Sequence, residues 1–210
     1  MPDSKYNTLI VNLYGGPGAG KSTAAAYLFA RLKMLGVSAE YVTEYAKDAT
    51  WEGAMQKLNC QLYITGKQAY RIQRVVGQVE VIVTDSPLAL GALYTNEDIL
   101  RLACISEAKK YAGQSIDIFL NRANPYQTDG RNQTEQEAIA LDEKIKAMLT
   151  YNGFKFDEII NNQTSLDTVV ETLHKRLRPL LYTETQDISP LSPDEDIPPL
   201  SLADNVKGGW

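Results

Sequence analysis

The stretch that most constrains this chain is Gly15-Gly16-Pro17-Gly18-Ala19-Gly20-Lys21-Ser22-Thr23. It fits G-x-x-x-x-G-K-[ST], with Gly15, Gly20, Lys21 and Ser22 at the defining positions. Glycines let the backbone curl so that several N–H groups converge on phosphate oxygens. Lys21 then reaches the β- and γ-phosphates, Ser22 offers its hydroxyl to Mg²⁺, and the helix that starts here adds its positive end. The flanks agree. Leu9 to Tyr14 is an apolar run of strand length, and Ser22 to Leu35 carries Leu28, Leu32 and Leu35 at helical spacing before a closing Gly36. The nine residues therefore predict a strand–loop–helix unit with ATP and Mg²⁺ as its ligands.

Downstream, Val37 to Thr43 alternates as a second strand and ends at Glu44. Ligands of open α/β sheets sit at the carboxyl ends of strands, which makes Glu44 a candidate general base; the alternative is a surface carboxylate paired with Lys47. Trp51 to Val76 reads as helix with a break near Asn59-Cys60. In its second half Lys67, Arg71 and Arg74 share a face, with Tyr63, Gln68 and Tyr70 nearby: a solvated stripe, or a surface turned to substrate. Val79 to Asp85 is a β-branched run ending in an acid, the form of a strand whose aspartate helps hold Mg²⁺.

Asn96 to Ala112 reads as a helix capped by Asn96, and Ile116 to Leu120 as a strand with Asn121-Arg122 at its end. The polar loop 123–133 carries Arg131; with Arg122 at its base it reads as a lid whose arginines neutralise charge on a transferring phosphoryl group, or as a decorated turn. Thr134 to Glu137 is a capping box opening a helix to Tyr151. Phe154 to Ile160 is the last strand, Asn161-Asn162 offers itself to an adenine ring, and Ser165 to Leu181 is the last helix, with His174 on its surface.

The 210 residues suit one domain, residues 1–182, with a tail over 183–210 rich in proline and acids. That tail holds six acids and one base, so the net charge of −5 leaves 20 acids and 20 bases over 1–182. A neutral body neither supports nor excludes a nucleic-acid partner. Trp210, Leu200 and Leu202 are candidate docking residues, on the body or in a homo-oligomer. No apolar run reaches the roughly 20 residues of a membrane span, and no signal peptide opens the chain. Cys60 and Cys104 read as buried free thiols, and the chain as cytoplasmic.

With these residues assembled, the chain resembles the P-loop kinases of the nucleotide and nucleoside kinase group, thymidylate-kinase-like in kind. It is most similar to compact ATP-binding proteins, many phage-encoded, related to the nicotinamide riboside kinase domain. The likeness runs from residue 7 to about 180 on Gly15–Thr23, Thr43–Asp48, Thr84–Pro87 and Gly130–Thr134. One branch is similar to kinases that phosphorylate 5-hydroxymethyluracil within DNA, which implies a DNA-modifying role and a duplex or flipped-base acceptor. Ring-forming ATPase signatures and the N-K-x-D motif of G proteins are absent.

The expectation is a three-layer α/β protein with a mainly parallel five-stranded sheet. It would transfer the γ-phosphoryl group of ATP to a nucleoside-type hydroxyl, in DNA or, alternatively, on a free nucleoside or nicotinamide riboside. In this reading Lys21 and the loop hold phosphates, Ser22 and Asp85 organise Mg²⁺, Glu44 handles the acceptor, and Arg122 and Arg131 neutralise charge. A non-catalytic ATP-binding regulator is the competing class.

Overall fold

The computed structural model describes residues 4–123 and 134–179. The chain divides into Met1–His174, which carries the sheet and the site, and Lys175–Trp210, of which residues 175–179 are described. The expected tail and Arg131 lie outside the described residues.

Five parallel strands stand in the order β2-β3-β1-β4-β5: β1 Leu9–Tyr14, β2 Ala39–Val42, β3 Val81–Thr84, β4 Ser115–Asn121 and β5 Phe156–Ile160. β1 lies in the middle, and its apolar run is explained by burial on both faces, with Val11 and Leu13 fully covered on one and Tyr14 on the other. β5 is an edge strand, and its residues are half-buried or exposed.

Helices cover both faces. On one, α1 (Lys21–Met34) buries Ala24, Ala25, Leu28 and Leu32. Beside it lies α7 (Gln163–Leu177), tied to α1 where Tyr27 donates to Asp167 at 2.6 Å. The small alanines let α1 approach the sheet closely. The other face carries α4 (Gln61–Gln73), α5 (Asp98–Lys109) and α6 (Glu135–Tyr151). There Ile72 of α4 packs with Ile10, Val42, Ile82 and Leu88. Cys104, Ile105, Ile145 and Leu149 pack with Tyr14 and Phe119. Two short helices, α2 (Tyr45–Trp51) and α3 (Met55–Leu58), and a 3₁₀ segment at Leu88–Tyr94 fill the carboxyl side of β2 and β3.

The capping box opens α6 as expected: Thr134 Oγ1 accepts from the Glu137 amide at 3.3 Å, and Glu137 Oε2 accepts from the Thr134 amide at 2.7 Å. Three expectations change. The segment read as helix from Trp51 begins earlier, at Tyr45; the break expected near Asn59-Cys60 is present between α3 and α4, and a further one falls between α2 and α3, where Gly53 takes φ +65°. Asn96 does not cap α5; Glu97 holds that position with no side-chain bond, its amide donating instead to Thr95 Oγ1 at 3.1 Å. His174 is buried on the inner face of α7 rather than on the surface. Among the described residues no helix is long and apolar enough to cross a membrane.

Candidate nucleotide and acceptor site

Every strand delivers a residue to one end of the sheet: Gly15 after β1, Glu44 after β2, Asp85 after β3, Arg122 after β4 and Asn161 after β5. β1 is where chain order reverses across the sheet, the position at which open α/β sheets form their ligand crevice.

The loop from Gly15 to Gly20 is fastened on three sides. Gly16 donates its amide to Asp142 Oδ1 of α6 at 2.5 Å, Arg122 Nη2 donates to the Pro17 carbonyl at 2.9 Å, and Asn161 Nδ2 donates to the Ala19 carbonyl at 2.7 Å. Arg122 and Asp142 also form an ion pair with each other, with side chains only 14% and 11% exposed. These ties explain two glycines. A Cβ on Gly16 would stand 2.7 Å from Asp142 Oδ1 and 3.1 Å from Arg122 Nη2. Gly20 holds φ +79°, and a Cβ there would run into the Asn161 amide. Ser22 and Thr23 stand exposed in the first turn of α1.

Lys21 folds back over the loop, its Nζ donating to the carbonyls of Gly15 at 2.7 Å and Gly16 at 3.2 Å. Burial lowers its pKa, while the carboxylates of Glu44, Asp85 and Asp142 hold the charge in place. Burial raises the pKa of Glu44, and Asp85 adds to the shift while Lys21 opposes it. The structure thus brings Lys21, Glu44 and Asp85 within mutual electrostatic reach.

Asp85 is buried and accepts the Tyr41 hydroxyl on Oδ2 at 2.8 Å, while its Oδ1 has no hydrogen-bond partner among the described residues. An orphaned buried carboxylate oxygen beside a phosphate loop fits a cation or its water shell. No group of three or more ligating side chains occurs among the described residues. The free Asp85 oxygen suits Mg²⁺, which takes one or two protein ligands and completes its shell with phosphate and water.

A cavity of about 470 Å³ opens from this cluster, between α4 and the 3₁₀ segment. Lys21, Glu44 and Asp85 are its charged lining residues; the rest of the wall is neutral, with Leu58, Ile64, Leu88 and Leu90 among its apolar members.

Several expectations meet different surroundings. Arg122 engages a carboxylate and a loop carbonyl through its Nη atoms, while its Nε has no hydrogen-bond partner among the described residues. Gln68 is buried and structural, accepting from the Tyr45 amide at 2.9 Å and donating to the Thr43 carbonyl at 3.3 Å. Arg71 pairs with Asp48 and lies 5.0 Å from the Tyr45 ring centre. The basic stripe is thereby broken. Asn161 holds the loop and Asn162 caps α7, accepting from the Ser165 amide at 2.9 Å. Cys104 is buried, but Cys60 is exposed. Asp142 and Tyr41 were not foreseen. Tyr41 shares the strand alternation that leads to Thr43, whereas Asp142 sits among other charged residues of α6 with no local signal.

Residues 10–166 match the AAA domain family. The RecA protein of Paramagnetospirillum magnetotacticum is 28% identical over 193 aligned residues, covering 78% of this chain and 55% of that protein. The crystal structure of NadR protein in complex with NR has a TM-score of 0.59 at 17% identity, covering 89% of this chain and 54% of that one. The chain thus spans about half the length of these two relatives, 55% and 54%. Shikimate kinase from Bacteroides thetaiotaomicron aligns with a TM-score of 0.45 at 14% identity, over 82% of this chain and 98% of that one. The five-stranded parallel sheet with helices on both faces is the fold of P-loop proteins.

Proposed function

Because the chain belongs to the AAA domain family, and its phosphate loop opens onto a walled side pocket, we propose that it is an ATP-dependent phosphotransferase acting on the hydroxyl of a nucleoside-type acceptor. One observation carries the reading: Lys21, Glu44 and Asp85 gather at one end of a 470 Å³ cavity whose other walls are neutral. That volume suits a small neutral acceptor seated beside the triphosphate.

Lys21 and the loop amides hold the β- and γ-phosphates. Ser22 and Asp85 would hold Mg²⁺, which when bound neutralises charge on the phosphate oxygens. Tyr41 fixes Asp85 through Oδ2 and leaves Oδ1 free. Glu44 accepts the acceptor's hydroxyl proton as that oxygen bonds to the γ-phosphorus and the bond to the β–γ bridging oxygen breaks, releasing ADP. A raised pKa suits this task, since a base held near neutrality both accepts and releases its proton readily. Arg131 would neutralise charge on the transferring group.

The finer reading places the hydroxyl on 5-hydroxymethyluracil in DNA, supported by the resemblance of the sequence motifs to that branch. A free nucleoside or nicotinamide riboside offers the same hydroxyl chemistry. A P-loop ATPase that transfers to water is the second reading, favoured by the RecA likeness. The protein would work in the cytoplasm, where ATP is supplied.

The test is γ-labelled ATP with Mg²⁺ against DNA containing 5-hydroxymethyluracil and against free nucleosides, with Lys21→Ala as the control. Label in DNA or on a nucleoside, lost in Lys21→Ala, is the expected result. Label found only as inorganic phosphate, whatever acceptor is added, would replace the phosphotransferase with an ATPase.

A further inference from the structure

The cavity wall includes a polar group that the transfer chemistry does not use. Of the neutral polar side chains lining it, Gln68 is consumed by the backbone of Thr43 and Tyr45. Ser86 adjoins Asp85 and belongs to the phosphate end. Thr65 is occupied as well: its Oγ1 receives Gln61 Nε2 at 3.1 Å and lies 3.4 Å from Cys104 Sγ. Gln61 is different. Thr65 holds one hydrogen of its amide nitrogen, while the Oε1 atom has no partner among the described residues. The side chain lines the cavity, and its planar amide keeps one acceptor and one further donor.

The opposite wall is cut to leave room for this arrangement. Gly91, in the 3₁₀ segment, has no unusual backbone angle, so its lack of a side chain has a steric cause. A Cβ there would stand 2.9 Å from Cys104 Sγ, 3.0 Å from Thr65 Oγ1 and 3.1 Å from Gln61 Nε2. The glycine therefore lets the 3₁₀ segment close against α4 without displacing the Gln61–Thr65 pair. Beside it Tyr94 lines the same cavity and offers an aromatic face to a planar ring.

We propose that Gln61 is the specificity-determining residue of this pocket and selects a planar ring that sets a hydrogen-bond donor beside an acceptor on one edge, as the N–H and C=O of an imide do. A carboxamide and such an edge form two hydrogen bonds in one plane, the same donor–acceptor pairing that Asn and Gln make with the N6/N7 edge of adenine. The apolar walls admit a neutral ring and disfavour a charged one. The inference rests on the phosphotransferase reading for its hydroxyl-bearing acceptor, but not for the ring's recognition.

The probes are 5-hydroxymethyl-2′-deoxyuridine, its N3-methyl derivative, which lacks the imide N–H, and a single-stranded oligonucleotide containing 5-hydroxymethyluracil. Binding is measured by calorimetry with a non-hydrolysable ATP analogue present, alongside label transfer. The wild-type protein is expected to bind the parent nucleoside about tenfold or more tightly than the N3-methyl compound. Gln61→Leu should bring the two within about twofold while leaving affinity for the ATP analogue unchanged. Gly91→Ala, which crowds Gln61 from the opposite wall, should shift the ratio the same way. A Gln61-dependent preference for the oligonucleotide supports the inference with DNA as the source of the ring; preference for the free nucleoside supports it with a metabolite as the source. Equal wild-type affinity for parent and N3-methyl compounds, no binding of any probe, or a ratio untouched by Gln61→Leu overturns it. Gln61-dependent discrimination without label transfer overturns the phosphotransferase reading alone.

Discussion

Replacing Asp142 with alanine removes the carboxylate that both pairs with Arg122 and receives the Gly16 amide. The two side chains are only 14% and 11% exposed, so water cannot screen the cation left behind. Removing one partner of a buried pair costs about 3–5 kcal/mol, and the orphaned Gly16 N–H falls within that total. Domains of this size melt roughly 2–4 °C lower for each kcal/mol, so the expected fall in Tm is about 6–20 °C. Urea unfolding followed by circular dichroism measures the loss, with the m value unchanged. Asp142→Asn keeps an acceptor for Gly16 and should fall between alanine and wild type. The double variant Arg122→Met/Asp142→Leu removes both charges and should recover most of the stability. It leaves Gly16 and Pro17 without their partners, however, so ATP affinity measured by calorimetry should stay weakened. A loss under about 1 kcal/mol for Asp142→Ala would refute the reasoning, because the pair would then be behaving as a solvated surface bridge.

Glu44→Gln should cut phosphoryl transfer by about 10²–10⁴-fold while the protein stays folded. The Glu44 carboxyl pKa is raised, so the folded state favours the protonated form; wild-type stability relative to Glu44→Gln is greatest in acid and falls as pH rises through the raised value. Melting curves of both proteins across that range check the sign, and the wild-type rate should fall as pH drops through the same value. Tyr41→Phe frees Asp85 Oδ2 to rotate, so Mn²⁺ affinity read by electron paramagnetic resonance in the presence of ADP should weaken about tenfold with ADP affinity alone unchanged. Unaltered Mn²⁺ binding would remove Tyr41 from the positioning of Asp85.

Much of the fold was legible because a parallel sheet buried on both faces writes itself as β-branched runs, as in Leu9 to Tyr14 and Val79 to Asp85. The phosphate loop was legible because glycine spacing is a backbone requirement. After Glu44 the break near Asn59-Cys60 was legible, but the start at Tyr45 and the break at Gly53 were not, since α2 and α3 are too short for periodicity to show them. The loop's fastenings were equally hidden. Asp142 lies 126 residues from Gly16, and nothing local in α6 separates it from the solvated Glu143. Arg122 stood where a phosphate-binding arginine would, and only the structure shows its Nη atoms on a carboxylate and a carbonyl. For Gln61 and Gly91, the sequence names an ordinary helix residue and a loop glycine; their relation exists only once α4 and the 3₁₀ segment meet.

The bond from Asn161 to Ala19 joins the phosphate loop to the carboxyl end of β5, the outermost and least covered strand of the sheet. Edge elements open by local unfolding at lower cost than the central strands. Each such opening at β5 releases the Ala19 carbonyl, so the docked edge and the shaped loop form a single thermodynamic unit. Linkage is reciprocal: whatever affinity the loop gains from an attached β5, bound nucleotide returns to β5 as protection against opening. The margin of the sheet thereby acts as a reporter of occupancy at its centre.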